Sequence, residues 1–461
     1  MFEVVEIPVW LIVLAGLLAL VGVLDRLLFP SVRWYMRRRF NRAIERLNDR
    51  LQLRIQPFKL TRRKIMIDRL VHDPKVVAAA NEFAAEEGIP LEVATEKTAR
   101  YAREIVPSFS AFAYFGFAIR LARIISQSMY RVRVGFMDDE ALRGVDPEAT
   151  VVFIMNHRSN MDYVLVTYMA SERSALSYAV GEWARVWPLQ QIIKAMGGYF
   201  IRRKSRNSLY RRVLARYVQM ATDGGVSQAM FPEGGLSLDG APKPAKLGLL
   251  SYILDGFTLD SPRDVVFIPV GLNYDRVLED RVLTRVDPQK KRRFKFQMDV
   301  FFSFLLKQTW LRMRGKYYRF GYACVSFGRP VSLKEFMTQT GGTSSSEVIE
   351  NLGRHLMDKV SDVIPVLPVP LVASVFTRHT QPLTLLQIKV ESNALLQQLT
   401  DASAHVHMPR ADQDYAIDVG LRSLVSRHLV DEEDGEYRVA AGEDSLVAYY
   451  ARSIAHLFDH Q

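Results

Sequence analysis

The chain has 461 residues, 49% of them hydrophobic and 24% charged, which suits two or three domains with a sizeable buried core and excludes a disordered tail or a fibrous repeat. A lone cysteine, Cys324, excludes an intramolecular disulfide framework and favours a reducing compartment. The net charge of +11 points to an anionic partner: a membrane, a phosphate-bearing small molecule or nucleic acid.

From the N-terminus, Ile7 to Leu24 runs without a charge, at the short end of what crosses a bilayer as a helix. Glu3 and Glu6 precede it, whereas a cleaved signal peptide would lead with basic residues. A transmembrane anchor over 1–30 is therefore expected, with a buried or interfacial helix as the alternative. Residues 31 to 69 then carry thirteen basic side chains against Glu45, Asp49 and Asp68, a local excess of +10. An apolar run flanked by such a block is predicted to place the basic side in the cytoplasm, against anionic headgroups.

Residues 74 to 128 read as helices within a basic helical region, 31–128. Ser108 to Ile125 is rich in aromatic residues and admits two readings, a core helix or a membrane-dipping one. After it the pattern changes. YRVRVGF, TVVFIMN, QAMFPEG, VVFIPVGLNYD and YACVSFGRPVSL are short β-rich runs, and strands interleaved with helices predict an α/β layer domain over 129–336. Thr338 to Ser346 reads as a linker, and 347–461 as a C-terminal helical region.

Four segments carry chemistry. In the first, Asn156 to Asp162, His157 and Asp162 would lie about 140° apart on a helix or about 16 Å apart along a strand, so only a strand-to-helix turn lets them meet. Folded together, the carboxylate holds one imidazole nitrogen and leaves the other to accept a proton from an alcohol. The competing reading is a capping box, Ser159 with Asp162, ahead of an apolar helix. In the second, Gly197-Gly198 precede Arg202-Arg203, which suits a phosphate or an ordinary turn with surface arginines. In the third, Glu233-Gly234-Gly235 is followed by Lys243 and Lys246, a place for an anion or a plain glycine turn. The fourth, Ile268-Pro269-Val270-Gly271, reads by itself as a buried strand end.

In this order the four segments resemble the blocks of the glycerol-3-phosphate and dihydroxyacetone-phosphate acyltransferase family, within the superfamily that carries His-x4-Asp. His157, Arg158, Ser159, Met161 and Asp162 match the first block, and Gly197 to Arg203 the second except at Tyr199. Glu233, Gly234, Gly235, Ser237, Gly240, Lys246 and Gly248 match the third, and Ile268, Pro269, Val270, Tyr274 and Asp275 the fourth. The resemblance covers roughly 130 to 335 and is weaker over Pro365 to Phe376.

The resemblance implies an α/β acyltransferase domain, a mixed sheet flanked by helices, that transfers a fatty acyl group from acyl-CoA or acyl carrier protein to a hydroxyl of a phosphorylated glycerol in phospholipid biosynthesis. It implies His157 as base, Asp162 as its support, and Arg158, Ser159, Arg202, Arg203, Glu233, Gly234, Gly235, Ser237 and Lys246 around the acceptor. Ile268, Pro269 and Val270 would face the donor, and neither a metal nor another cofactor is needed. Leu236 and Leu238 stand where the family pattern has arginines, with Lys243 the nearest compensating cation. The two leucines suggest a more apolar acceptor, such as lysophosphatidic acid. A non-catalytic basic membrane or nucleic-acid binding protein remains the rival class, although no nucleic acid is expected as partner. A hydrolase lacks its signature here: no G-x-S-x-G and no metal-ligand cluster occurs.

Overall fold

The computed structural model describes residues 45, 55–170, 175–187, 189–202, 205, 207–285, 319–341 and 346–458. The expected anchor and nearly all of the basic block up to Arg54 lie outside the described residues, as does Arg203. Among the described residues no helix is long and apolar enough to cross a membrane.

Each boundary follows from local chemistry. The Pro74–Glu87 helix starts on Asp73, whose carboxylate accepts from Lys75 N, with proline at its first position, and it stops at Gly88 in the left-handed region, φ 61°. The Ser208–Asp223 helix is capped by the Asn207 side chain, which accepts from Tyr210 N. Eight strands form the main sheet: β1 (Arg131–Met137), β2 (Thr150–Met155), β3 (Ser177–Gly181), β4 (Tyr199–Ile201), β5 (Gln228–Met230), β6 (Val265–Tyr274), β7 (Tyr322–Phe327) and β8 (Val331–Ser332). Their order is β1-β7-β6-β2-β5-β3-β4, with β8 also on β6.

Five neighbours, β6, β2, β5, β3 and β4, run parallel, while β7 and β8 run antiparallel to β6, so the sheet is mixed as expected. β2 and β6 are buried along their whole length and accordingly read as continuous apolar runs. The parallel strands deliver the chain after β2, β3, β4, β5 and β6 to one edge, where ligands sit in open α/β sheets. Pro269, unable to donate to a ladder, falls where the second neighbour of β6 changes from β8, paired at Phe267, to β7, paired at Val270.

The expected boundaries near 128 and 336 are not breaks in packing. Residues 55–461 form one compact unit, and one core cluster runs from Met66 and Phe83 through Val152 and Phe267 to Leu356 and Val360. The linker expected over Thr338 to Ser346 is shorter than that, since the Leu333–Gln339 helix, capped by Ser332, reaches into it and the Ser346–Asp362 helix begins at its end. The C-terminal region is also not purely helical. It holds a three-stranded antiparallel sheet of β9 (Leu383–Thr384), β10 (Val430–Glu433) and β11 (Glu436–Val439). The β10–β11 turn is Asp434-Gly435, both at positive φ, the Asp-Gly signature of a two-residue hairpin.

Chain 363–376 is buried residue by residue and passes along β6. An added Cβ on Gly271 would meet Val363 O at 2.3 Å, and Asn273 Nδ2 donates to Pro365 O at 3.0 Å. Asp275, at the end of β6, accepts from Val369 N at 3.0 Å and Tyr322 N at 2.7 Å, one on each carboxylate oxygen. Burial raises its pKa to about 6 in spite of these bonds. In Asp275→Asn the amide NH2 must face one of two backbone donors. The midpoint of urea denaturation should fall by the equivalent of about 1–3 kcal/mol, the cost of a buried unsatisfied group.

Candidate active site

The turn after β2 is built from its ends inward. Asn156 pairs with the backbone of β6, donating from Nδ2 to Leu272 O at 2.9 Å and accepting from Leu272 N at 2.8 Å. Six residues on, Asp162 sits in the first turn of the Met161–Met169 helix. His157 and Asp162 are both buried, with Nδ1 of the imidazole 2.9 Å from Oδ2 of the carboxylate. The same oxygen accepts from Arg158 N at 2.7 Å and Ser159 N at 3.0 Å, and Oδ1 accepts from the Tyr274 hydroxyl at 2.6 Å. Only half of the expected capping box forms, since Ser159 N donates to Asp162 while Ser159 Oγ accepts from Met161 N at 3.1 Å; the one carboxylate closes the turn and holds the ring. With Nδ1 donating to Asp162, the lone pair of the neutral imidazole lies on Nε2.

The third block encloses this pair from β5. The Phe231 ring stacks on the His157 imidazole at 4.1 Å between centroids, and Tyr163 meets it edge-on at 5.5 Å. His157 N donates to Glu233 Oε1 at 3.3 Å, and Ser237 N donates to His157 O at 2.9 Å. Glu233 is buried, and burial raises its pKa to about 8 against the opposing pull of the His157 N–H, Lys243 and Arg158. Its Oε2 has no hydrogen-bond partner among the described residues, and neither do Nε and Nη2 of the buried Arg158. The Arg158 guanidinium lies over the Tyr449 ring, 4.7 Å from its centroid, and gives one bond, from Nη1, to Gly240 O. A buried cation with two idle donors, near a buried acid with one idle oxygen, is a costly arrangement that a bound anion would relieve.

Other expected site residues have visible structural duties. Ser237 Oγ donates to Asp239 or Ala241 O and accepts from Gly240 N, which folds its own turn. Gly240, at φ 94°, has no room for a Cβ, which would lie 1.9 Å from Tyr449 O. At Gly234, φ 69°, a Cβ would lie 2.6 Å from Lys246 Cδ and 3.0 Å from its Nζ, so the exposed Lys246 side chain lies across that glycine beside Glu233. Gly235 follows in the same turn, and Lys243 reaches Asp239 at 4.0 Å.

The second block is used differently from the sequence expectation. Arg202 Nε and Nη2 clamp the two oxygens of Glu104 at 2.8 and 2.6 Å, between the rings of Tyr101 and Tyr210. Arg185 adds a further bond to Glu104 at 2.8 Å. Burial pushes the Glu104 carboxyl up, but the Arg202 hydrogen bond and the surrounding cations hold it below its ordinary value. Gly197, at φ 87°, ends the Leu189–Ala195 helix, and a Cβ on Gly198 would strike Ile193 Cγ2 at 2.6 Å. Ile268, Pro269 and Val270 are buried in mid-strand of β6 and pair with Phe153, Ile154 and Met155, the last three residues of β2 before the turn. Among the described residues no cluster of His, Cys, Asp and Glu has the makings of a metal site.

Two residues around the turn had escaped a role in the sequence reading. Tyr274 belongs to a matched block, but only its partner Asp162 reveals what it does. Glu279 lies outside every block and accepts from Ser159 Oγ at 2.7 Å, Asn160 N at 3.2 Å and Asn160 Nδ2 at 3.0 Å. An acid five residues past Tyr274 was visible, but no spacing rule ties it to a turn 120 residues earlier. Glu279→Ala leaves the Ser159 hydroxyl and the Asn160 amide without their acceptor. Thermal and urea melts should then show a loss of about 1–3 kcal/mol, larger than for Glu279→Gln, which retains an acceptor oxygen.

Comparison with known proteins adds an independent line. A model named Acyltransferase matches residues 136–273, and one named Glycerol-3-phosphate acyltransferase C-terminal region matches 310–461. Curated glycerol-3-phosphate acyltransferases of Pseudomonas putida and Aeromonas hydrophila are each 26% identical, over 87% and 89% of this chain and 49% and 52% of their own. The chain thus spans about half the length of the curated relatives it matches. A crystal structure of 1-acyl-sn-glycerophosphate acyltransferase from Thermotoga maritima aligns with 65% of this chain and 97% of its own at 15% identity, with a TM-score of 0.31, too low to carry an argument. Two family models, separated by residues 274–309 and together covering more than half of the chain, and relatives matched along most of it place the chain in the glycerol-3-phosphate acyltransferase family.

Proposed function

We propose that the chain transfers a fatty acyl group from a thioester, acyl-CoA or acyl carrier protein, to a hydroxyl of glycerol 3-phosphate. The observation that carries this reading is the 2.9 Å contact between His157 and an Asp162 carboxylate fixed by three further donors. His157 Nε2 takes the proton of the acceptor hydroxyl as its oxygen attacks the thioester carbonyl. The tetrahedral intermediate then expels the thiolate, which recovers the proton from the imidazolium. Asp162 keeps the ring in the required tautomer and stabilises the imidazolium that forms.

Arg158 and Glu233 are proposed to receive the acceptor phosphate. Their idle atoms supply two guanidinium donors and, with the Glu233 pKa at about 8, a carboxylic acid that still carries its proton near neutrality. Lys246 and Lys243 supply outer positive charge where Leu236 and Leu238 replace arginines. Arg202 is left to brace Glu104 instead of touching the acceptor. A more lipophilic acceptor, lysophosphatidic acid, is the second reading, favoured by the partly exposed Leu236 and Leu238. Attachment to a membrane through Ile7 to Leu24, with the catalytic part on the cytoplasmic side, belongs to the same proposal, since long-chain donor and product both partition into lipid.

Labelled acyl-CoA offered with glycerol 3-phosphate, dihydroxyacetone phosphate or lysophosphatidic acid tests the reaction. Ester formation with stoichiometric free CoA supports transfer, and release of inorganic phosphate instead would overturn it. His157→Ala should lower turnover by about 10²- to 10⁴-fold, the range of general-base help; near-normal turnover removes the base assignment.

A pH profile tests the acceptor site. A carboxyl with a raised pKa is neutral below that value and anionic above it, so the acceptor KM should climb as pH passes about 8, while Glu233→Gln should flatten that limb. An unchanged alkaline limb in the variant would take Glu233 out of the site.

A further inference from the structure

Among the described residues, the segment just before β1 leaves an apolar stripe uncovered, and its charge pattern points to what covers it. Phe112–Ala118 is a π-helix that continues into the α-helix Ile119–Met129. Tyr114, Ala118, Ala122, Ser126 and Met129 face inward and are buried. On the outer side Phe112, Phe117 and Ile124 are 81%, 59% and 63% exposed, with Leu121 between the last two. The spacing explains the alignment. One π turn brings position 112 into line with 117, and the α-helical steps of four and three carry the line on to 121 and 124. The wider turn thus joins into one row what a continuous α-helix would scatter.

Between Glu104 and Asp138 there is no acidic residue, whereas Arg120, Arg123, Arg131 and Arg133 are all exposed. Soluble surfaces intersperse both signs. An aromatic-aliphatic row that shares its helix with the exposed Arg120 and Arg123 matches a helix lying in the plane of an anionic bilayer. Ser108 N and Ser110 N donate to Lys194 O and Ala195 O, which ties the start of the row to the C-terminal end of the Leu189–Ala195 helix.

We infer that Phe112–Met129 is an in-plane docking helix for an anionic lipid surface, independent of the N-terminal apolar run. Its inner side rests on the Met161–Met169 helix, and at the exposed border of that contact the Arg123 guanidinium lies over the Tyr168 ring at 5.3 Å and Gln127 Nε2 donates to the Tyr168 hydroxyl at 2.9 Å. That second helix carries Asp162 in its first turn. Docking therefore holds the His157–Asp162 turn one helix layer from the lipid.

The test uses the full chain. Cys324 is buried, so Ile124→Cys can be labelled selectively with a polarity-sensitive fluorophore, with Gln398→Cys as the control. On vesicles of phosphatidylglycerol and phosphatidylcholine the label at 124 should shift to the blue and be quenched by brominated lipid, and the control should not. Arg120→Glu with Arg123→Glu should weaken this insertion by at least about tenfold. A label at 124 that stays in water on these vesicles overturns the inference even if the chain is held by its N-terminus. Equal insertion into pure phosphatidylcholine, or a blue shift that grows with protein concentration without vesicles, overturns it as well. No acceptor or donor is needed, so this result and the acyl-transfer result stand or fall separately.

Discussion

One carboxylate organises the centre of this molecule. Asp162 receives the His157 ring, the backbone amides of Arg158 and Ser159, and the Tyr274 hydroxyl. Three of those donors come from the turn that the carboxylate closes and one from the neighbouring strand β6. Bonds of this kind are charge-assisted, and in a buried setting each is worth more than its exposed counterpart. The outcome is a turn whose shape, ring orientation and link to the sheet share one acceptor. A five-residue interval unsuitable for either a helix or a strand becomes a contact because the carboxylate replaces the hydrogen bonds that regular structure would have supplied.

Around that centre, distant parts of the chain contribute specific pieces. β5 supplies Phe231 beneath the imidazole and Glu233 on its backbone. The helix Asp444–Ala455 supplies Tyr449, whose ring covers Arg158 and whose carbonyl forbids a side chain at Gly240. Asp275 binds the end of β6 to chain 369 and to the start of β7. The C-terminal region is consequently part of the site's wall. Opposite demands meet in the second block: a guanidinium placed where a phosphate was expected is engaged by Glu104, a carboxylate from a helix nearly a hundred residues earlier.

The docking helix gives this architecture a direction. Its buried side supports the helix that carries Asp162, and its outer side is apolar and fringed by cations, so the element that supports the reactive turn also faces the proposed lipid phase. Acyl chains partition into lipid while phosphates stay in water. A turn close to that boundary would suit the proposed acyl transfer, which needs both.

Through local periodicity and short spacing, the sequence already carries the strand-rich character of the central region, the positions of β1, β2, β5, β6 and β7, and a turn after β2 that would let His157 meet Asp162. It left β3 and β4 unread, since three to five residues carry too little pattern, and the β10–β11 hairpin went unread despite its Asp-Gly turn. Only the tertiary structure decided that Tyr274 and Glu279 hold the turn, that Glu104 takes Arg202, that Ile268 to Val270 lie in mid-strand, and that Arg158 keeps idle donors. Each of those outcomes depends on which distant side chain arrives first within hydrogen-bond reach, and burial, rather than sequence separation, sets the strength of that competition.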